Sequence, residues 1–286
     1  MAAKVEVAPI RAADPAPRPT LVAETAGYRV LYGILGEVAE GTVSLIPDSS
    51  PATGGNNSPR KVLRAVGAGK GAVLGFARTE KRIESEFDPQ TLNSTRWTIT
   101  RTNNDRTTID IAEQKQPGTV SLLRKCAGEP DQSSSITRSS PILDPLGFLL
   151  RLRLGRLQAP ASFEILDERA LWIMSISAVR TTGDDPPMLR VDGRSEPVGW
   201  DGSPDPGRTG RRFSLFLSND GYRTPVRLVV PFGVGEARAD LVTLSRPTTD
   251  PPALPRTAPP FRRYLPGKKE PQNPSPPSLP VPAQRS

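Results

Sequence analysis

The sequence holds no histidine among its 286 residues. That removes the commonest general base and the commonest metal ligand, and it rules out a Ser–His–Asp hydrolase. Cysteine occurs once, at Cys126, which excludes an internal disulfide and a cysteine-cluster metal site. Cys126 reads as a small buried apolar residue; with Lys125 before it in mid-chain, it is not a lipid-anchor cysteine. No stretch approaches the ~18–20 apolar residues that a membrane-crossing helix needs. Residues 1–20 also lack the apolar core of roughly 7–15 residues that marks an export signal. No Gly-x-Ser-x-Gly elbow occurs. Gly67-Ala68-Gly69-Lys70-Gly71 fails as a phosphate loop, because Gly71 stands where Ser or Thr is needed and Arg64 where the first Gly is needed. That segment reads instead as a glycine-rich turn or bulge. These absences point to no cofactor and no metal, and they weigh against an enzyme.

What is present is strand pattern. Residues 213–245 alternate with period two: Phe213, Leu215 and Leu217 against Arg212, Ser214 and Phe216, then Val226, Leu228 and Val230. Ser218-Asn219-Asp220-Gly221 marks a turn, and Pro225, lacking an N–H, fits the first residue of a strand. Short strands are predicted near residues 28–35, 38–46, 61–66, 72–78, 82–87, 96–101, 107–111 and 120–125. Further strands are predicted at 162–166 and 170–179. Residues 128–140 read as a mobile polar loop, and residues 181–210 as loop-rich, with Asp-Gly turns at Asp192-Gly193 and Asp201-Gly202. One helix is expected after Asp144-Pro145, with Asp144 as its N-cap and Arg151 and Arg153 near its C-terminal end. The sum is an all-β fold, an antiparallel meander forming a barrel-like or strongly curved sheet with one short central helix.

Three patches carry a family resemblance. Tyr28-Arg29-Val30-Leu31-Tyr32-Gly33 with Gly41-Thr42-Val43 is the first, and Leu143-Asp144-Pro145-Leu146 through Leu150-Arg151-Leu152-Arg153 is the second. The third is Leu217 to Asp220, Arg223-Thr224-Pro225-Val226-Arg227 and Pro231-Phe232-Gly233 through Leu241. Together they resemble the DUF3108 family of bacterial envelope proteins of uncharacterised function. The resemblance implies a periplasmic or envelope-associated protein and brings no catalytic residues. With no export signal in residues 1–20, the expectation is a processed or trimmed exported chain; a cytoplasmic protein is the alternative.

The organisation expected is a flexible lead (residues 1–27), one β-rich domain (28–245) and a disordered tail (246–286). The tail holds 13 of the 33 prolines and seven Lys/Arg against Asp250 and Glu270, so it cannot bury enough apolar surface to order itself. Of the net charge of +8, the domain keeps only +3, and its arginines alternate with acidic residues. This is a solvated face rather than a nucleic-acid footprint. Arg262, Arg263, Lys268 and Lys269 are the expected contacts of the tail with an envelope partner or surface.

Aromatics are sparse, so Trp97, Trp172 and Trp200 stand out, and with Met174 they are the candidates to line a pocket for a lipid or other apolar small molecule. The function expected is a non-enzymatic envelope module, binding such a ligand or serving as a scaffold for an assembly partner. The alternative is a hydrolase of cell-envelope polymer using loop carboxylates, Asp184, Asp185, Asp201 and Asp205, two of which would have to converge in a cleft.

Overall fold

The computed structural model describes residues 22–48, 62–73, 77–104, 106–233 and 235–246. All lie within the unit Met1–Pro247. The strands are β1 (Glu24–Tyr32), β2 (Gly36–Asp48), β3 (Val62–Val73), β4 (Ala77–Phe87), β5 (Ser94–Asn103), β6 (Arg106–Gln116), β7 (Thr119–Cys126) and β8 (Gln132–Thr137). They continue as β9 (Ile142–Leu143), β10 (Ala161–Asp167), β11 (Ala170–Thr181), β12 (Met188–Val198), β13 (Arg211–Ser218), β14 (Pro225–Phe232) and β15 (Gly235–Ser245). Helix α1 (Pro145–Leu154) lies between β9 and β10, and a 3-10 turn, Gly33–Leu35, joins β1 to β2.

These strands form one fifteen-stranded sheet in the order 8-7-6-5-4-3-2-1-15-14-13-12-11-10-9. Two meanders therefore run outward from a central pair, β1 with β15, which brings the two ends of the domain together. Every ladder is antiparallel except the two-residue pairing of β9 with β10. The sheet is not closed, since β8 and β9 remain its edges. Side chains span the gap that no ladder bridges. Arg138, just after β8, donates to both oxygens of Glu164 on β10 at 2.9–3.2 Å. Arg169 donates to Gln132 and Ser134 of β8. The expected curved, barrel-like antiparallel meander is the architecture found, with one α-helix among the described residues.

The inner face is the one that carries α1. Strand alternation places Trp97 and Ile99 on it, each 1 % exposed, while Arg96, Thr98 and Thr100 take the other face. Asp144 caps the helix as its residue type foretells: Oδ1 accepts from the backbone N–H groups of Leu146 and Gly147. The Ser85 and Ser94 hydroxyls donate to the same carboxylate at 2.8 and 2.6 Å, tying the helix start to β4 and β5. Leu146 and Leu150 then pack with Leu45, Leu63 and Phe87 on the inner face. Farther along, Leu152 joins Ile176, Val191 and Phe213.

Burial raises the Asp144 carboxyl above its ordinary value, against the opposing pull of Ser94, Ser85 and the two N–H groups. A raised folded value means this group's stabilisation is complete below the unfolded value and is lost as pH climbs through the folded one. Asp144→Asn keeps a capping oxygen and removes the titration. The difference in Tm between Asp144→Asn and wild type is expected to move in the variant's favour as pH rises from about 4, the ordinary Asp value. A difference that stays flat with pH would contradict this.

Several local readings are corrected by tertiary contacts. The strand expected at 61–66 continues as β3 to Val73, straight through the glycine segment read as a turn, and the strand expected at 72–78 falls on the end of β3 and the start of β4. A Cβ on Gly67 would stand 3.1 Å from Leu146 Cδ2, and one on Gly71 would stand 2.8 Å from the Ala39 Cβ. The glycines are there for close approach, not for turning. Asp192-Gly193 likewise sits inside β12, where a Cβ would meet the Phe213 ring at 2.5 Å and Ser175 O at 2.6 Å. The polar segment 128–140 contains β8, held by Ile136, which is 2 % exposed. The expected lead ends early: Glu24 pairs with β2, and Thr25 to Gly27 pair with both β2 and β15, so all four belong to the sheet. Its first 21 residues lie outside the described residues, as does the tail from residue 247, with Arg262, Arg263, Lys268 and Lys269.

Candidate functional site

The four residues expected to line an apolar pocket fall into different surroundings. Trp97 is fully buried and packs with Leu166, Leu171 and Ile142, each 0 % exposed. Trp200 packs on the edge of that cluster, its indole N–H donating to Arg169 O at 3.1 Å and the Arg169 guanidinium lying over its ring. Trp172 and Met174 share one face of β11, opposite Ile165 and Phe163 of β10. Met174 packs with the Phe213 and Val191 cluster, while its neighbours Leu171 and Ile173 pack with Trp97 on the other side. Strand β11 is thus covered on both faces. The structure brings Trp97 and Trp200 together and leaves Met174 and Trp172 on the far side of the strand.

The loop carboxylates do not share a site. Asp184 and Asp185 lie in the β11–β12 turn, whereas Asp201 and Asp205 lie in the β12–β13 connection. The 11 residues of β12 stand between the pairs. At about 3.3 Å per residue, that is roughly 35 Å. Asp201 accepts from the N–H and hydroxyl of Ser203, and those bonds hold it below the usual carboxylate range. Asp205 accepts from Gly207 N–H and pairs with Arg208. These are turn carboxylates, engaged locally.

A second charged cluster belongs to the closure of the sheet. The β10–β11 turn reaches β4 and β5, where Lys81 pairs with Asp167 at 2.6 Å and Glu168 at 3.3 Å, and Arg101 meets Glu168 at 3.5 Å. Beside it, Arg124 grips Asp110 through two bonds of 2.7 and 2.6 Å. Each of these charges has its partner, so the cluster fastens one half of the sheet to the other.

A broad depression lies on the outer face. It is a trough of about 680 Å³ across β15, β1, β2, β3, β4 and β5. Cross-strand register builds its floor: Thr243 pairs with Gly27, Gly27 with Thr42, Thr42 with Ala68, Ala68 with Arg82, and Arg82 with Thr100. The next row is Glu40, Lys70, Glu80 and Thr102. Gly, Ala and Thr keep the floor low, and longer charged side chains form its wall. Lys70 pairs with Glu40 at 2.9 Å, so the wall neutralises itself in part, though an ion pair this exposed adds little stability. Val242, 51 % exposed, adds apolar surface at the β15 end. Sequence reading gave these residues no binding role; the Gly/Ala/Thr alternation in residues 39–43 and 65–71 is the signal that marks them.

No family model matches the chain, and no curated protein matches it. Solved structures that resemble it include a β-barrel-like protein of the domain of unknown function DUF1849 from Brucella abortus. That protein is 14% identical at a TM-score of 0.47, with 80% of this chain and 99% of that one covered. Another is a protein inferred to be exported, with a YmcC-like fold, from Bacteroides fragilis, at 9% identity and a TM-score of 0.28, covering 80% and 98%. A third, inferred to be a lipoprotein, comes from Parabacteroides distasonis, at 9% identity and a TM-score of 0.29, covering 80% and 97%. These likenesses transfer no residue and no activity. None is described as a DUF3108 protein, so that resemblance rests on its three patches alone.

Proposed function

We propose that the protein is a non-enzymatic module of the bacterial cell envelope that binds an extended apolar or lipidic chain on the outer face of its sheet. The observation that carries this reading is the trough: a row of small uncharged residues, Thr243, Gly27, Thr42 and Ala68, crossing four strands, and bounded by the charged Arg82, Glu40, Lys70 and Glu80. Its volume of about 680 Å³ is that of a ligand site. The packed surroundings of Trp97 and the helix filling the inner face favour this surface over the interior. The envelope setting is supported by the DUF3108-like patches, which coincide with β1–β2, α1 and β13–β15. Contact of the basic tail with an envelope partner belongs to the same reading.

The test is native mass spectrometry of the full chain from its own host, followed by lipid extraction, for wild type and Ala68→Trp. Ala68 lies on the outer face between Thr42 and Arg82, so an indole there fills the trough without entering the core. Wild type is expected to carry one lipid-like molecule per chain, and the variant to retain about tenfold less. Equal occupancy in both, or a clean ligand-free mass for wild type, would overturn the reading and leave a scaffold.

A further inference from the structure

Arg151 is a half-buried cation without a matching anion. Its one hydrogen bond runs from Nη2 to Asn93 Oδ1 at 2.7 Å. Its Nε is buried with no partner. Burial lowers its pKa, and no carboxylate opposes that effect. Of the other arginines of this region, Arg153 pairs with Glu24 and Arg138 holds Glu164, while Arg223 is held by the carbonyl oxygens of Arg153 and Gly155.

Arg151 also lines a cavity of about 350 Å³ between α1 and strands β9, β10 and β11. Near the guanidinium the wall is polar, with Asn93, Ser140 and Ser162; elsewhere it is apolar, with Leu143, Phe163 and Ile173. The volume stands at the small end of the ~300–1,000 Å³ usual for ligand pockets. Glu164 is in the same wall, and its charge is already taken up by Arg138. The site thus offers one net positive charge, fork-shaped donors and a short apolar body. A dianion such as phosphate would bring a second negative charge toward Glu164 with nothing to meet it. The C-terminal half of α1 favours a cation here even when the cavity is empty.

We propose that this cavity binds a small monocarboxylate, its carboxylate on Arg151 and its apolar body against Leu143 and Phe163. The site is separate from the outer trough, and neither proposal depends on the other.

Calorimetric titration of the full chain with hexanoate, hexan-1-ol and inorganic phosphate tests it. Hexanoate is expected to bind once per chain, with the alcohol and phosphate each at least about tenfold weaker. Arg151→Gln is expected to weaken hexanoate by about tenfold or more. Ser162→Trp does the same from an exposed position on the cavity wall, and it carries the test if the Arg151 variant fails to fold. A thermal melt of each variant separates lost binding from lost fold. The proposal is overturned if hexanoate does not saturate, if folded variants bind it like wild type, or if phosphate binds as well as the carboxylate.

Discussion

Glu24→Leu is expected to cost about 3–5 kcal/mol in a denaturant titration, because it strands a buried cation. Glu24 opens β1, and its side chain is 2 % exposed. Its Oε1 meets Arg153 Nη1 at 2.7 Å, and its Oε2 meets Arg246 Nε at 3.1 Å. Arg153 is 3 % exposed and comes from the helix, so this one carboxylate ties α1 to the central strand pair. Without it, Arg153 keeps only neutral partners, the carbonyl oxygens of Tyr222 and Arg223. Arg246 can turn to water; Arg153 cannot. Adding Arg153→Leu to Glu24→Leu removes the stranded charge and is expected to recover part of the loss, with a coupling energy above about 1 kcal/mol. A single-variant cost below about 1 kcal/mol would show that the pair does not hold the helix in place.

Trp97→Ala is expected to destabilise the protein by a similar amount, about 3–5 kcal/mol, through lost burial and the cavity left behind. Trp97 is 1 % exposed and packs against strands from both halves of the sheet, reaching Val120 on β7 and Leu171 on β11. Set against a total stability of about 5–15 kcal/mol for a typical domain, either substitution leaves a marginal fold. The denaturant slope should not change, since the native surface is preserved. A cost under about 1.5 kcal/mol would mean that the Trp97 surroundings are not close-packed, and would return the ligand to the interior.

Features decided by a few neighbouring residues were legible in the sequence. The alternation around Phe213, the strand start at Pro225 and the Asp144 cap each follow from local backbone and side-chain rules, and each is where it was expected. Features decided by a distant partner were not. Gly67 and Gly193 look like turn residues until Leu146 and Phe213 arrive against them from elsewhere in the chain. Strand β8 has one buried apolar residue, Ile136, and exists because β7 supplies its ladder. The pairing of β1 with β15 joins the two ends of the domain, which no local pattern announces. The trough is legible least of all, because its floor is a row across strands and its members lie as far apart as Gly27 and Thr243. Arg151 could be placed near the helix end by its spacing, but its missing counter-charge appears only once Glu24 and Glu164 are seen to be taken by other arginines.

The central claim is that binding takes place on the outer face and not around Trp97. The direct measurement is paramagnetic broadening of the protein's amide and indole NMR signals by a nitroxide-labelled phosphatidylcholine, a zwitterionic lipid that carries no carboxylate. Broadening is expected at Gly27, Thr42, Ala68 and Thr243, with the Trp97 indole unaffected. Broadening of the Trp97 indole and of Leu166 and Leu171, with the trough residues untouched, would contradict it.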